Sequence, residues 1–564
     1  MTSSVLPALV FFAGAGLVAV LPSRLRPAIA LLVPVAGALN LWLYVESGAS
    51  WQVSVFDYSL TLMQVDRLSL LFGYLFHLAA FIGVVYALHV RDTTQQVAAL
   101  LYAGSAVGAV FAGDLITLFV FWESLAVTSV FLVWARRTTR AYDAGMRYLL
   151  IQIGSGVILL TGALMHLHQT GSLAFEQFTL EGTGAWLILL AFGVKCAFPL
   201  LHNWLTDAYA EATPTGTVFL AAFTTKVAVY ALARGFPGNE ILIYIGAAMT
   251  AFPIFYAVIE NDLRRVLCYS MINQIGFMVV GIGIGTELAM NGAVSHAFND
   301  VVFKGLLFMS MGAVLHMTGK INGSDLGGLY KTMPITTVLC IIGAASISAF
   351  PLFSGFVSKA MVMAAALEEG HDWVWLVLLF ASAGVFHHAG IKIPFFAFFA
   401  HDSGIRVKDP PWNMLLAMAI AAAICIFNGS YPWVLYSLLP WPVDYAPYTW
   451  SHVITQTQLL FFSALAFIFL QFRGLYPPEL PSINIDAEWT YRRLAPRAVR
   501  RAQMLWAPVQ QALHQFANLW FERFIAGFYR HYGPEGFLGR AWLIGSTALA
   551  VAILLVAYLL LYYV

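Results

Sequence analysis

Residues 191–234 read AFGVKCAFPLLHNWLTDAYAEATPTGTVFLAAFTTKVAVYALAR, and this stretch decides how the chain must fold. Each of its two apolar runs is suited to a membrane helix, yet each carries a lysine, Lys195 and Lys226, in its interior. Pro199 follows Lys195 by four residues. A proline there removes a helical hydrogen bond and its ring clashes with the preceding turn, so the first helix should break beside the charge. Irregular backbone at membrane depth survives only where protein or a water-filled cavity covers it. The stretch therefore predicts a bundle of membrane helices built around a buried polar site.

Composition supports that setting. Of 564 residues, 10% are charged, 60% hydrophobic and 15% aromatic, and the mean hydropathy is +0.79. Soluble domains carry about 25% charged residues, so a soluble enzyme, a nucleic-acid binder and a disordered chain are excluded. The net charge of +1 gives no field for a bulk polyanion. Cys196, Cys268, Cys340 and Cys425 are scattered, with no CxxC or CxxCH. No cofactor is expected in this chain, neither iron–sulfur cluster, c-type haem nor structural zinc. Sodium ligands leave no clear sequence mark, so the metal question stays open.

Stretches of roughly 20 apolar residues recur about sixteen times between 5–21 and 541–562. The expected fold class is an all-α polytopic membrane protein with 14–16 transmembrane helices. Its expected divisions are N-terminal helices over 1–93, five-helix units over 94–234 and 239–401, further helices over 402–472, a basic amphipathic segment over 473–540 and a last span over 541–564. In the 473–540 segment Val509, Leu513, Phe516, Trp520, Phe524 and Phe528 recur at helical spacing after Pro508, which suits a membrane surface or a neighbouring protein of an assembly.

The odd loops hold the basic residues: Arg24 and Arg26, then Arg136, Arg137, Arg140 and Arg147, then Arg264 and Arg265, Lys320 and Lys331, Arg406 and Lys408. The even loops hold Asp57, Asp114, Glu176, Glu181, Glu287, Glu368, Glu369, Asp372 and Asp444. By the positive-inside rule both termini face outward from a bacterial inner membrane. The short seventh loop, with Asp207 and Glu211, is the exception.

Ionisable residues within membrane helices are costly and mark function by default. Six sit mid-helix: Glu123, Lys195, Lys226, Lys304, Lys359 and Lys392. Lysine suits reversible protonation, since desolvation penalises its charged form whereas arginine stays charged. His296, Asp300 and Lys304 fall at i, i+4 and i+8 on one helix face, and His388 with Lys392 repeats the i, i+4 spacing. A lone buried lysine could simply pair with a carboxylate or a helix-end carbonyl. Six together argue for an ion path. His387 reads as a packed histidine, and His166, His168 and His316 as helix-end residues whose polar tips reach the interface.

A second break is expected at SAFPLFSGF, where Pro351 and Gly355 precede Lys359. Lys195 and Lys359 are 164 positions apart, and Lys226 and Lys392 166. Each pair occupies a broken helix and the span after it. Five helices separate the equivalents, so the two units should have opposite topology, as in inverted-repeat transporters.

The opening stretch resembles the signature of the antiporter-like subunits shared by respiratory complex I and the Mrp-type multisubunit cation/proton antiporters. FVFWES (119–124), NDLRRVLCYSMINQIGFM (261–278), HAFNDVVFKGLLFMSMGAVLH (296–316) and FPLFSGFVSK (350–359) resemble the same family in order. The resemblance implies two inverted five-helix repeats and a chain of charged residues across the middle of the membrane. It makes Glu123 the partner of Lys195, Lys226 the connecting lysine, Lys304 the central relay and Lys359 the charge of the second broken helix. His296, Asp300, His388, Lys392, Pro199 and Pro351 would support them. Asp300 departs from the family, which often has histidine there, and could hold Lys304 charged.

Lysine at 359 and the 330–400 region resemble the D-type member of the Mrp antiporters. The tail resembles the lateral helix of complex I's distal antiporter-like chain, shorter and interrupted by proline. The implied function is proton translocation in a multisubunit Na+/H+ antiporter, with other membrane subunits, the bilayer, protons and Na+ as partners and no nucleic acid. The alternatives are a proton-pumping membrane arm of a complex I-like or hydrogenase complex, and the membrane component of an inorganic-carbon accumulator.

Overall fold

A computed structural model describes residues 5–56, 58–481, 484–534, 536 and 539–563; Asp57, assigned above to the second loop, lies outside them. The chain forms two units, Met1–Asp486 and Ala487–Val564. Among the described residues, twelve helices are long and apolar enough to cross a membrane. The expected sixteen differ from this number for identifiable reasons. Pro7–Val20 is short, and Thr183–Cys196 and Pro334–Ile347 are the first halves of broken helices. Thr93–Phe111, with the polar start TTQQ, is not among the twelve. An antiparallel hairpin, Ser50–Val55 with Tyr58–Gln64, was not anticipated.

Two five-helix sets repeat in close register. Thr93–Phe111 and Glu240–Ile259 open them. Asp114 then caps Leu115–Trp134, and Asp262, 148 positions later, caps Leu263–Ile284. In both cases the carboxylate accepts from two helix-start N–H groups, which otherwise have no intrahelical partner. The next helices, Thr139–Thr170 and Glu287–Thr318, have 32 residues each and end on left-handed Gly171 and Gly319. Asp114 bridges Ala174, and Asp262 bridges Asn322. The caps, the long helices, their end glycines and the bridges all keep the spacing of 148.

The broken helices repeat as well. Thr183–Cys196 and Asn203–Glu211 flank the first break, and Pro334–Ile347 and Ser354–Glu368 the second. Both breaks contain Ala-Phe-Pro-Leu, residues 197–200 and 349–352. Ala197 and Leu200 have φ of 62° and 69°, and Ala349 and Leu352 have 58° and 72°. Non-glycine residues rarely occupy this region. It is kept here because Phe198 N–H bonds Gly193 O (3.0 Å) and Phe350 N–H bonds Ala345 O (3.1 Å) across each turn. The breaks are thus 152 apart, not 164, and this corrects the assumed equivalence of Lys195 and Lys359. Lys195 precedes its break, whereas Lys359 follows its own.

Ion pairs join odd loops to odd and even to even. Glu211 meets Arg136 and Arg140 at 3.2 and 2.7 Å, and Asp207 meets Arg147 at 2.7 Å. The acidic seventh loop is therefore neutralised by the arginines of the fifth. Lys331 and Arg406 share Asp402, each at 2.7 Å, and Asp66 meets Arg234 at 2.5 Å.

In the second unit Ala495–Tyr532 is one helix of 38 residues that continues through Pro508, followed by Ile544–Tyr563. The expected interruption by proline is absent. Trp520, Phe524 and Phe528 stack in sequence along one face.

Candidate functional site

Lys195 ends the first half-helix, fully buried. Its ammonium donates to the Trp122 carbonyl and lies 4.7 Å over the Trp122 ring. Glu123, the next residue, turns toward Thr139–Thr170 instead, where a side chain on Gly156 would collide with its Oε1. Oε1 has no hydrogen-bond partner among the described residues. The expected Glu123–Lys195 ion pair is therefore absent in contact form. The Trp122 carbonyl takes the ammonium, and the glutamate interacts with it only at longer range.

Lys226 sits just past an interruption at Phe223, in Thr224–Gly235. Its Nζ donates to Ala221 O at 3.2 Å and lies 2.6 Å from Asp300 Oδ2, with both side chains fully buried. The contact is close but poorly aligned for a hydrogen bond, and Oδ1 has no partner among the described residues. Asp300 was expected to hold Lys304. Although the two share a helix face, their side chains reach different neighbours. Lys304 donates to Ser270 Oγ at 2.8 Å on Leu263–Ile284. The Lys226–Asp300 pair thus links the first five-helix set to the second.

His296 lies between Gln274 Oε1 (3.1 Å) and Ser358 Oγ (3.0 Å), within electrostatic range of Lys226, Lys304 and Lys359. Lys359 donates to Ile347 O at 3.1 Å and lies 5.0 Å over the Phe277 ring. Pro199 and Pro351 occupy the two breaks. His388 is buried in a π-helical stretch, Phe386–Lys392, and neither ring nitrogen has a partner among the described residues. At the end of that stretch Lys392 donates to Val258 O and Glu260 O, both at 2.7 Å, and lies 2.8 Å from Glu479 Oε1. His387 packs against Phe467 and Tyr476.

Reading by charge alone passed over several partners. Trp122, Ser270, Gln274 and Ser358 are neutral and matter through position. Arg264 was counted as a loop residue, yet it is fully buried, donating to Ala212 O at 3.0 Å, to Tyr209 O at 3.2 Å and to Thr217 Oγ1. Glu479 lies in the tail segment, where a carboxylate is ordinary; only the fold reveals that it meets Lys392, beside the backbone carbonyl of Glu260.

The family model described as NADH:quinone oxidoreductase/Mrp antiporter, TM, matches residues 112–386, which span both broken helices. The N chain of the NADH-quinone oxidoreductase of Desulforudis audaxviator is 32% identical over 391 residues, covering 63% of this chain and 77% of that protein. The chain belongs to this membrane family. The D component of the Na(+)/H(+) antiporter of Alkalihalophilus pseudofirmus is 32% identical over 308 residues, 50% of this chain and 62% of that one. Family resemblance does not extend over the whole of every relative: the chain spans 32% of a probable K(+)/H(+) antiporter protein from Rhizobium meliloti. Among solved structures, a chain of the archaeal membrane-bound sulfane sulfur reductase has the same fold. That likeness has a TM-score of 0.71 and 22% identity and covers 98% of this chain and 99% of that one.

Proposed function

We propose that this family member is a proton-translocating component of a multisubunit cation/proton antiporter of the Mrp type. Glu123, Lys195, Lys226, Lys304 and Lys359 would carry the proton, with His296, Asp300, His388 and Lys392 supporting. The observation that carries this reading is the buried Lys226–Asp300 ion pair, which joins the first five-helix set to the second between the two broken helices. Buried charge is expensive, and so many charges in one row favour transport over packing. A proton reaching one lysine repels those beside it, so each protonation favours release from the next. Buried polar atoms of Gln152, Asn203, Thr225 and His388 without partners among the described residues suit a polar path between the charges. Other membrane subunits, the bilayer, protons and Na+ are the partners of this reading. The basic odd loops support a reading with both termini outside a bacterial inner membrane.

The test is proton flux in vesicles containing the complex purified through this chain. Lys195→Ala and Lys359→Ala should each abolish flux while the complex still assembles; undiminished flux in either variant overturns the reading. A second reading, the membrane arm of a redox complex, is favoured by the full-length likeness to the sulfane sulfur reductase chain. Co-purification separates the two: redox subunits accompany the chain in one case and small antiporter subunits in the other.

A further inference from the structure

Lys392 is the last lysine of the row, fully buried, and its ammonium meets three oxygens. Two of these are backbone carbonyls, which cannot take up a proton at ordinary pH. The third belongs to Glu479. Glu479, with its side chain 5% exposed, also lines a cavity of about 450 Å³ together with His401, Gln471 and Tyr476. We propose that Glu479 is the residue through which Lys392 exchanges its proton with water at this end of the row, which deepens the function proposed above and rests on it.

The carboxylate is carried by a strap that follows Trp450–Phe472. Pro477 and Pro478 stiffen the strap just ahead of Glu479. Its far end is pinned at two places. Asn484 donates to Glu260 at 3.2 Å, and Tyr269 donates to Asp486 at 2.7 Å, with His202 3.1 Å from the same oxygen. A tethered carboxylate at a fixed distance is what proton transfer needs. Burial holds the Glu479 carboxyl above the usual carboxylate range, and the Lys392 charge opposes that rise. The groups facing it are Lys392, Glu260, Tyr476 and, across the cavity, His401. In the transfer an N–H bond of Lys392 breaks as an O–H bond forms on Glu479 Oε1. The proton then passes from that oxygen to water in the cavity, leaving the carboxylate.

The experiment uses the full chain in its purified complex, in vesicles, with co-purification of subunits as the check on assembly. Glu479→Gln should lower proton flux by about 100-fold, and Glu479→Asp should retain it. Glu479→Cys should be as slow as Glu479→Gln. None of the four native cysteines, all buried, lines this cavity, whereas residue 479 does, so a water-soluble thiol reagent bearing a carboxylate that enters it should react at 479 and restore flux. A neutral reagent of equal length should not. Wild-type flux in Glu479→Gln, loss of flux in an assembled Glu479→Asp, or equal rescue by the neutral reagent overturns the proposal. Lys359→Ala in the same vesicles separates the two readings. If it keeps full flux, the function proposed above fails; if it stops flux while Glu479→Gln does not, only the role of Glu479 fails.

Discussion

The two five-helix sets share a scaffold but place their charges differently. With a shift of 148, Trp122 and Glu123 correspond to Ser270 and Met271, and Tyr148, Gln152 and Gly156 correspond to His296, Asp300 and Lys304. In the first set the shorter helix supplies the charge, Glu123, and the long helix supplies the space, Gly156. In the second set the long helix supplies the charge, Lys304, and the shorter one supplies a small hydroxyl, Ser270, to receive it. The broken helices differ in the same manner. With a shift of 152 the counterpart of Lys195 is Ile347, and Lys359 donates to the Ile347 carbonyl from the other half-helix. An ammonium therefore arrives beside each break by a different route. What the repeat preserves is the location of charge relative to free helix ends; the residue that delivers it has changed.

The largest effect should come from the buried ion pair that joins the sets. Asp300→Asn leaves the Lys226 ammonium buried without its counter-charge, and breaking such a pair costs about 3–5 kcal/mol. Flux should be lost, and the thermal midpoint of the purified complex should fall. Asp300→Asn with Lys226→Met removes both charges, so most of the stability should return while flux stays absent. A double-mutant cycle on the midpoint measures this coupling. If Asp300→Asn leaves both flux and midpoint unchanged, the two sets work independently and the comparison breaks.

Much of this arrangement is legible without coordinates, for physical reasons. Buried lysines stand out because the surrounding helices are apolar, and the proline breaks stand out because proline cannot continue a helix. What sequence left hidden depends on rotamers and on chain reversal. Spacing put Asp300 and Lys304 on one face, but not which neighbour each side chain reaches. The family resemblance implied that Glu123 pairs with Lys195, yet the Trp122 carbonyl takes the ammonium. Subtracting lysine from lysine gave 164, because the lysine moved across the break while the Ala-Phe-Pro-Leu turn stayed at 152. The anchoring of Glu479 on Lys392 required a strap to fold back, for which a proline-rich tail gives no local signal.

A smaller effect is expected at the glutamate. Glu123 is only partly buried and acts on Lys195 without contact, so Glu123→Gln should slow flux about tenfold, equivalent to about 1.4 kcal/mol. Gly156→Ala should act in the same direction by displacing the carboxylate. Because both act on one group, Gly156→Ala should add little in the Glu123→Gln background. Full additivity of the two flux losses would show that Gly156 matters for packing alone, and the first set would then have no built recess for its acid.

The smallest effect should be at Ser270, where only one hydrogen bond is at stake. Ser270→Ala removes the hydroxyl that receives Lys304, a loss of one hydrogen bond, and the net contribution of a typical hydrogen bond is about 1 kcal/mol. Asp300 remains close enough to stabilise the Lys304 charge, so part of that loss is offset. Flux should fall by less than in Glu123→Gln, and Ser270→Thr, which keeps the hydroxyl, should restore it. Were Ser270→Ala to cost more than Asp300→Asn, the hydroxyl and not the interset ion pair would control the row. The second set would then depend, as the first does at Trp122, chiefly on an uncharged acceptor on the shorter helix.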